Sequence, residues 1–208
     1  MVLGALGVVA LLVTPSWFPV AAATQAKRQD ELYFWLLVMS SFILALVVTF
    51  LVYMLWKFRA KPGDESDGVP IHGHTGLEVV WTVIPIVIVL GFAIYGAAAL
   101  GRNEALARDH MVVDVQGQQF AWTFTYPSYG NLKTGILALP VGRQVEFRIT
   151  AVRHDVLHSF YIPAFRLKQD AVPGLPQKLI ATPDRVGTYM VTCAELCGIG
   201  HSQMRTIF

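Results

Sequence analysis

The sequence predicts a membrane-anchored protein in which a hairpin of two transmembrane helices precedes an all-β domain. Three features predict this fold class: two long uncharged stretches, a low content of charged residues, and alternating apolar and polar residues after residue 102. Only 14% of the residues are charged and 54% are hydrophobic, whereas ordinary globular domains carry about 25% charged residues. This composition excludes a disordered chain. It also excludes a nucleic-acid binder that relies on a basic surface, since the formal net charge is only +2.

The two uncharged stretches are Phe34–Trp56 and Val79–Gly101, each 23 residues long. A helix rises about 1.5 Å per residue, so each stretch can cross a hydrocarbon core about 30 Å thick. Aromatic residues near their ends are typical of membrane interfaces. We therefore predict a hairpin over residues 34–101, with helices at about 34–56 and 77–100 and a loop at 57–76. Two buried helices of a soluble core are the alternative, but the remaining residues could hardly surround them.

The first apolar stretch, residues 1–23, resembles a secretory signal. The small residues Ala21–Ala23 precede Thr24 in the manner of a cleavage site. Pro15 and Pro19 interrupt the stretch, and no Lys or Arg precedes it, so a retained third helix is the alternative. Either form suits export of the residues that follow.

Positive residues orient the predicted hairpin. Lys57, Arg59 and Lys61 follow the first helix closely, and such residues favour the cytoplasmic side of a membrane. The bias is small, because Lys27, Arg28 and two further arginines flank the outer ends. It predicts a cytoplasmic loop at 57–76 and places residues 102–208 outside.

Residues 102–208 have the residue pattern of a β domain. Met111–Val115, 144–149 and 187–192 alternate apolar and polar residues, which is typical of half-buried strands. Pro and Gly residues separate these runs and mark turns. Several short strands at this spacing predict a small antiparallel sandwich or barrel.

The residues with the strongest chemical signal lie near the end of the sequence. Twelve residues contain Cys193, Glu195, Cys197, His201 and Met204. Thiolates, an imidazole and a thioether form a soft ligand set that selects copper over magnesium, calcium or manganese. Zinc is the competing metal, although its structural sites use four Cys or His ligands and no methionine. A disulfide between the two cysteines is a further alternative in an exported domain.

A further ligand is expected from elsewhere in the sheet. His154 and His158 are the candidates, and Leu157 and Phe160 flank His158 with apolar side chains that place its ring inside the domain. A buried imidazole without a partner is costly, so it needs a metal or a hydrogen bond. A core histidine with an ordinary hydrogen bond is the alternative.

The cysteine loop and the segment Asp155–Ser159 resemble the copper-A domain of the cytochrome c oxidase subunit II family. The resemblance extends over nearly the whole chain, in the same order of segments. It implies a cupredoxin-type β barrel that holds two copper ions bridged by the sulfurs of Cys193 and Cys197. It further implies that His158 and His201 bind one copper each, and that Met204 and the backbone carbonyl of Glu195 are weak outer ligands. The Glu195 side chain would then be offered to magnesium at the contact with subunit I.

Three further residues, Phe120, Trp122 and Glu78, take roles from the same resemblance. Phe120 and Trp122 lie in the aromatic stretch through which electrons enter, and Phe120 stands where the family has its first tryptophan; an ordinary aromatic strand is the alternative. Glu78 matches the glutamate at the mouth of a proton channel, with a helix-start acid as the alternative. Asp155 is expected to support the copper ligands, and an ordinary turn aspartate is the alternative.

The resemblance implies a subunit of a haem-copper oxidase in the bacterial cytoplasmic membrane, with its copper domain on the periplasmic face. Its implied partners are subunits I and III, a c-type cytochrome donor and the lipid bilayer, with haems in the partner subunit and no nucleic acid. A copper-A subunit of a nitric oxide reductase is the alternative, and a quinol oxidase subunit, which lacks the copper ligands, is disfavoured. Residues 102–208 hold 11 Lys or Arg and 8 Asp or Glu, a balance of +3. Since this charge would not attract a basic cytochrome, we expect an acidic or largely apolar docking contact.

Overall fold

The computed structural model of the chain describes residues 18–64, 66–68 and 70–208. These residues fall in two compact units. The membrane unit is Leu32–Ala98, and the outer unit combines residues 18–31 with Ala99–Phe208.

Two helices account for nearly all of the membrane unit: α1 (Thr24–Lys57) and α2 (Thr75–Glu104). Both are long and apolar enough to cross a membrane, as the sequence predicts. Apolar side chains on both helices are exposed, as expected where lipid replaces water. The hydroxyl of Thr49 donates to the carbonyl of Ala45 at 2.6 Å, so this polar group is satisfied within its own helix.

The first helix begins ten residues before the predicted start at residue 34. Its first turns, Thr24–Glu31, belong to the outer unit, where Gln25 and Ala26 are buried. This extension is too polar to be recognised as membrane-spanning, and its buried Gln25 hydrogen-bonds to the β domain. The second helix likewise begins at Thr75 and ends at Glu104, beyond the predicted 77–100.

The outer unit contains nine strands, and the predicted all-β domain is confirmed. Three short runs of 3-10 helix, at residues 127–129, 163–165 and 201–203, connect some of them. The strands are β1 (Met111–Gln118), β2 (Ala121–Tyr126), β3 (Leu132–Thr134), β4 (Val145–Ala151), β5 (His158–Ile162), β6 (Leu167–Ala171), β7 (Gln177–Ala181), β8 (Met190–Cys193) and β9 (Arg205–Ile207).

The strands form two separate sheets, so the expected closed barrel is wrong for the described residues. One sheet has the order β3-β2-β1-β4-β7 and the other has the order β6-β5-β8-β9. The edge strands β3 and β9 each span only three residues, which is too short for a continuous ladder between the sheets. The domain is therefore a sandwich, in which the two sheets share one core.

One pair of strands departs from the predicted antiparallel arrangement. Strands β1 and β4 run parallel, from Met111 opposite Val145 to Gly117 opposite Ala151. Every other strand pair is antiparallel among the described residues. The chain reaches β4 through residues 135–144, a connection too long for a hairpin, and this length allows β4 to return in the same direction as β1.

The core forms from the inward faces of both sheets. Strand β1 buries Met111, Val113 and Val115 and leaves the residues between them partly exposed, which confirms the predicted period of two. Across the sandwich, the ring centroids of Phe147 and Phe160 lie 5.4 Å apart. This contact joins the two sheets.

The segment before α1 packs into the outer unit. Ala22 and Ala23 are fully buried. The N–H of Ala22 donates to the carbonyl of Ala164 at 2.9 Å, and the N–H of Asp184 donates to the carbonyl of Ala22 at 3.0 Å. Residues 1–17 of the predicted signal-like segment lie outside the described residues, while residues 18–23 lie against the β domain.

Candidate metal centre

The strand register brings distant ligand candidates together at one end of the sandwich. Strand β8 ends at Cys193, which is paired with Phe160 of the antiparallel strand β5. His158, two residues before Phe160, therefore lies at the same edge as the cysteine loop that follows β8. The predicted convergence of His158 with the two cysteines is present: one ligand atom from each lies within 4.8 Å of the others.

The cysteine loop is closed at its base. The N–H of Cys193 donates to the carbonyl of Met204 at 2.9 Å, and β9 then pairs with β8. Inside the loop, the N–H of His201 donates to the carbonyl of Gly198 at 3.0 Å. Gly198 has a φ of +128°, and a Cβ there would lie 2.8 Å from the amide nitrogen of Gln119. The loop can fold back in this way only with glycine at this position.

The two cysteine sulfurs lie 3.9 Å apart and both side chains are buried. This distance is far from the roughly 2.05 Å of a disulfide. It suits two sulfurs that share a bound ion, because a metal–thiolate bond is about 2.3 Å long. The structure therefore favours the metal-site interpretation over the disulfide.

Each sulfur has an imidazole and a weaker donor beside it. His158 Nδ1 lies 4.0 Å from the Cys193 sulfur, and the Glu195 carbonyl oxygen lies 3.2 Å from it. His201 Nδ1 lies 3.6 Å and the Met204 sulfur 3.8 Å from the Cys197 sulfur. The four other predicted ligand groups thus surround the pair of sulfurs. Two cysteine sulfurs, two imidazoles and a thioether fit copper better than zinc.

The thiol of Cys197 is unsuited to act as a nucleophile. Burial and the neighbouring Cys193 sulfur raise its pKa to about 11. A thiol with such a pKa is almost entirely protonated at neutral pH and is a poor nucleophile. A bound metal ion deprotonates its thiol ligands, so the arrangement suits metal binding and disfavours cysteine catalysis.

Asp155 holds the His158 ring from the side opposite the sulfurs. Its Oδ2 lies 3.4 Å from His158 Nε2 and accepts the backbone N–H of Gln119 at 2.9 Å. Burial raises the pKa of Asp155, but the hydrogen bonds from Val156, Gln119 and His158 outweigh it and the pKa lies below its usual value. Asp155 is therefore an ionised acceptor that can fix the ring with Nδ1 toward the sulfurs.

The aromatic residues take two different positions. Trp122 is buried, and its ring centroid lies 6.2 Å from that of His158. Phe120 is only partly buried. Its ring supports the cysteine loop, since a Cβ at Gly200 would lie 2.5 Å from Phe120 Cδ2.

The remaining candidates lie apart from this cluster. His154 is exposed, with a φ of +72°, and does not belong to the group of ligand atoms found among the described residues. Glu78 lies in the first turn of α2, where its Oε1 accepts the N–H of His74 at 3.2 Å. That contact is the one expected of a helix-start acid.

Sequence reasoning did not single out Gln119 and Gly117. Gln119 donates its backbone N–H to Asp155 and its side-chain amide to the carbonyl of Cys197. Gly117 lies against both Trp122 and His158. The sequence feature that points to Gln119 is its position directly before the aromatic stretch that begins at Phe120.

The chain is similar to known proteins in both of its parts. Residues 12–98 match the family described as Cytochrome C oxidase subunit II, transmembrane domain, and residues 133–208 match Cytochrome C oxidase subunit II, periplasmic domain. Cytochrome c oxidase subunit 2 of Synechocystis sp. is 34% identical, over 91% of this chain and 70% of that protein. Cytochrome c oxidase subunit 2 of Thermostichus vulcanus is 33% identical, over 90% of this chain and 72% of that protein. The solved periplasmic domain of subunit II of cytochrome oxidase of Bradyrhizobium japonicum is 24% identical, covers 50% of this chain and 85% of that chain, and gives a TM-score of 0.46.

Proposed function

Because the chain belongs to the cytochrome c oxidase subunit II family, we propose that it receives electrons for a haem-copper oxidase. In this proposal a c-type cytochrome delivers single electrons to a dinuclear copper-A centre, and they pass to haem in subunit I, where oxygen is reduced and protons are pumped. The observation that carries the proposal is the pair of buried sulfurs 3.9 Å apart with an imidazole beside each. The family resemblance carried by the cysteine loop is confirmed.

The chain's own residues hold the centre in a fixed arrangement. Cys193 and Cys197 would bridge the two copper ions, His158 and His201 would bind one each, and Met204 and the Glu195 carbonyl would be the weak outer ligands. When bound, the copper pair supplies a carrier for one electron. The hydrogen bond between Cys193 and Met204 closes the loop and limits how far the ligands can move. Small movement between redox states lowers the reorganisation that electron transfer requires.

The environment of the ligands suits electron transfer better than reaction with a substrate. Cys197, His158 and Met204 are each no more than 2% exposed, and the protein supplies every ligand group. A catalytic metal site keeps one position for water or substrate. Asp155 contributes by orienting His158, and the hydrogen bond that it accepts from the N–H of Gln119 ties the ring to the residue that follows β1.

Phe120 and Trp122 are proposed to lie on the route by which electrons reach the centre. Phe120 is partly exposed and touches the cysteine loop. Trp122 is buried against His158. Phe120 is therefore the better candidate for contact with a donor. Trp122, on β2, packs against His158, one of the proposed copper ligands.

Other roles concern the assembled oxidase. The half-buried Glu195 would offer its side chain to magnesium at the contact with subunit I. Glu78, near the start of α2, would stand at the mouth of a proton channel. We place the assembly, with subunits I and III, in the bacterial cytoplasmic membrane and the copper domain on the periplasmic face.

Metal analysis and spectroscopy of the purified oxidase test the proposal. We expect two copper ions bound by this chain and a paramagnetic resonance spectrum in which one unpaired electron is shared by two equivalent copper nuclei. Cys197→Ser should abolish this spectrum, while Ser202→Ala, an exposed neighbour in the same loop, should leave it unchanged. If the purified complex holds no copper in this subunit, the chain is an inert anchor and the proposal fails.

A further inference from the structure

A pocket of about 340 Å³ lies where the start of α1 and the end of α2 meet the strands β6 and β7, each at the edge of its sheet. Every residue that lines it belongs to the outer unit. We call it the helix-end pocket, and its lining includes Gln29, Leu100, Asn103, Lys168, Lys178 and Leu179. Small-molecule sites have volumes of about 300–1,000 Å³, so this pocket suits one small chemical group better than a segment of another protein chain.

The helix-end pocket carries an excess of positive charge. Lys168 and Lys178 are exposed, and neither side chain makes an ion pair or a hydrogen bond within the described part of the chain. Arg166, the third cation of the lining, is neutralised by Asp30 at 2.8 Å. Glu104 is the one acid among the described residues that line the pocket. Two unpaired lysines against one carboxylate favour an anion as the occupant.

The other lining residues combine hydrogen-bond donors with an aliphatic wall. Asn103 Oδ1 accepts a hydrogen bond from Arg28 at 3.1 Å, which leaves the amide nitrogen of Asn103 as a donor. Gln29 supplies a second amide. Phosphate oxygens accept hydrogen bonds from amide and ammonium groups. Leu100 and Leu179 lie in the same lining, so the pocket suits a phosphate that is attached to an apolar group.

The pocket lies at the level where both helices leave their apolar stretches. Gln29 precedes the first stretch, which begins at Phe34, by five residues, and Asn103 follows the second, which ends at Gly101, by two residues. At about 1.5 Å per residue, these positions lie about 8 Å and about 3 Å beyond the hydrocarbon core. The headgroup layer is about 5–8 Å thick on each face of a bilayer. The helix-end pocket is therefore at the height of lipid phosphates.

We propose that the helix-end pocket binds the phosphodiester headgroup of an anionic phospholipid, with Lys168 and Lys178 as its charged contacts. The phosphate oxygens would accept hydrogen bonds from both ammonium groups and from the amide of Asn103. The acyl chains would lie beside the apolar stretches of α1 and α2. Free phosphate has the same oxygen chemistry, but the level of the pocket and its aliphatic wall favour the lipid. This site goes beyond the proposed function and does not depend on the copper centre.

Photocrosslinking in the whole oxidase tests the proposal. The purified oxidase is placed in vesicles of dioleoylphosphatidylcholine with a small proportion of phosphatidylglycerol that carries a photoreactive diazirine beside its glycerol. After irradiation, mass spectrometry should find lipid adducts on peptides that contain residues 99–104 or 167–180. Lys168→Gln should lower their yield about fivefold, equivalent to about 1 kcal/mol, because a lysine near an anionic lipid contributes about this much. The double variant with Lys178→Gln should lower it about 25-fold.

Lys133→Gln is the matched control. Lys133 is an exposed lysine on β3, at the opposite edge of the sheet that ends in β7, and its replacement should leave the yield unchanged. Equal yields from the double variant and the unaltered oxidase would overturn the proposal. Absence of adducts on these peptides in the unaltered oxidase would also overturn it, because another subunit would then cover the pocket.

Two further arms distinguish the possible ligands. Photoreactive phosphatidylcholine should give a lower yield on the same peptides than phosphatidylglycerol, since its headgroup has no net charge; an equal yield would overturn the preference for an anionic lipid. Inorganic phosphate, added at constant ionic strength, should leave the phosphatidylglycerol adduct unchanged. Loss of the adduct would assign the pocket to free phosphate and overturn the lipid. The copper spectrum should be the same in all variants, so failure of this proposal leaves the proposed function intact, whereas an unaltered oxidase without copper would overturn the proposed function alone.

Discussion

His158 is held on two sides by residues that are not themselves ligands. Asp155 meets its Nε2, and the ring of Trp122 packs against the imidazole. Gly117, on β1, leaves the space that these rings occupy: a Cβ there would lie 3.0 Å from Trp122 and 3.2 Å from His158 Cδ2. The absence of a side chain at residue 117 thus sets how closely the imidazole approaches β1.

Gly117→Ala should therefore displace the His158 ring and leave the sandwich folded. We expect a changed copper hyperfine coupling and optical spectrum, because small shifts of supporting groups alter metal ligands measurably. Gly135→Ala is the control, since the nearest atom to a Cβ there is the Trp122 carbonyl oxygen at 4.0 Å. Identical spectra for the two variants would show that Gly117 does not position His158.

For single residues, the sequence predicts the candidate metal ligands better than the residues that hold those ligands in place. Cys193, Cys197, His201 and Met204 share one short loop and one kind of chemistry, so their spacing is visible in the sequence. Gly117 and Gln119 contribute space and hydrogen bonds to residues more than 35 positions away. A glycine in a strand and an exposed glutamine carry no chemical signal of such roles until the register of β5 against β8 is known.

The segment from Phe18 to Glu31 works as a strap that ties the start of α1 to the β domain. Gln25 is buried, and its side-chain oxygen accepts the N–H of Thr182 at 2.9 Å. Arg166 pairs with Asp30 at 2.8 Å and lies over the ring of Phe18. These contacts hold the first turns of α1 against the β domain.

Removal of residues 1–23 would cut through this strap. It would discard Ala22 and Ala23, which are fully buried, and the two backbone hydrogen bonds of Ala22. We therefore expect the mature subunit to retain Phe18–Ala23, with any cleavage before Phe18. Intact mass or N-terminal sequencing of the purified subunit measures this, and a mature chain beginning at Thr24 would show the expectation to be wrong.

The same strap predicts a stability effect. Gln25→Ala leaves the N–H of Thr182 without its acceptor, which should lower the free energy of unfolding by about 1–3 kcal/mol. Gln29→Ala, an exposed residue one turn further along α1, should have little effect. Denaturant unfolding of the two variants of the purified chain compares them; equal midpoints would contradict a supporting role for Gln25.

The alternation of apolar and polar residues predicts individual strands, whereas the pairing and packing of distant elements cannot be read from such a local pattern. The period-two runs identify β1, β4 and β8, because burial on one face is a local property of a strand. Pairing is not local: the parallel neighbours β1 and β4 are separated along the chain by residues 119–144, which include β2 and β3. The start of α1 escaped prediction for the same reason, since Thr24–Glu31 gains its helical structure by packing against residues more than 130 positions away.

The predicted orientation of the protein in the membrane depends on which helix ends belong to the outer unit. The outer unit contains both the start of α1 and the end of α2, and each helix is long enough to cross a bilayer once. We therefore expect residues 58–74, which connect the two helices, to lie on the opposite side of the membrane from the outer unit. Lys57, Arg59 and Lys61 stand at that end, and their charge favours the cytoplasmic side.

Two single cysteines, Ser66→Cys and Ser128→Cys, test this orientation in the assembled oxidase. Both positions are exposed, whereas Cys193 and Cys197 are buried and give a low background. A membrane-impermeant thiol reagent should label residue 128 once the outer membrane is opened, and residue 66 only after the inner membrane is also permeabilised. The physical reason is that, in the predicted topology, about 30 Å of hydrocarbon separates the loop from the β domain, and a charged reagent does not cross it. Equal labelling of both positions before permeabilisation of the inner membrane would place the loop outside and would reverse the assigned topology.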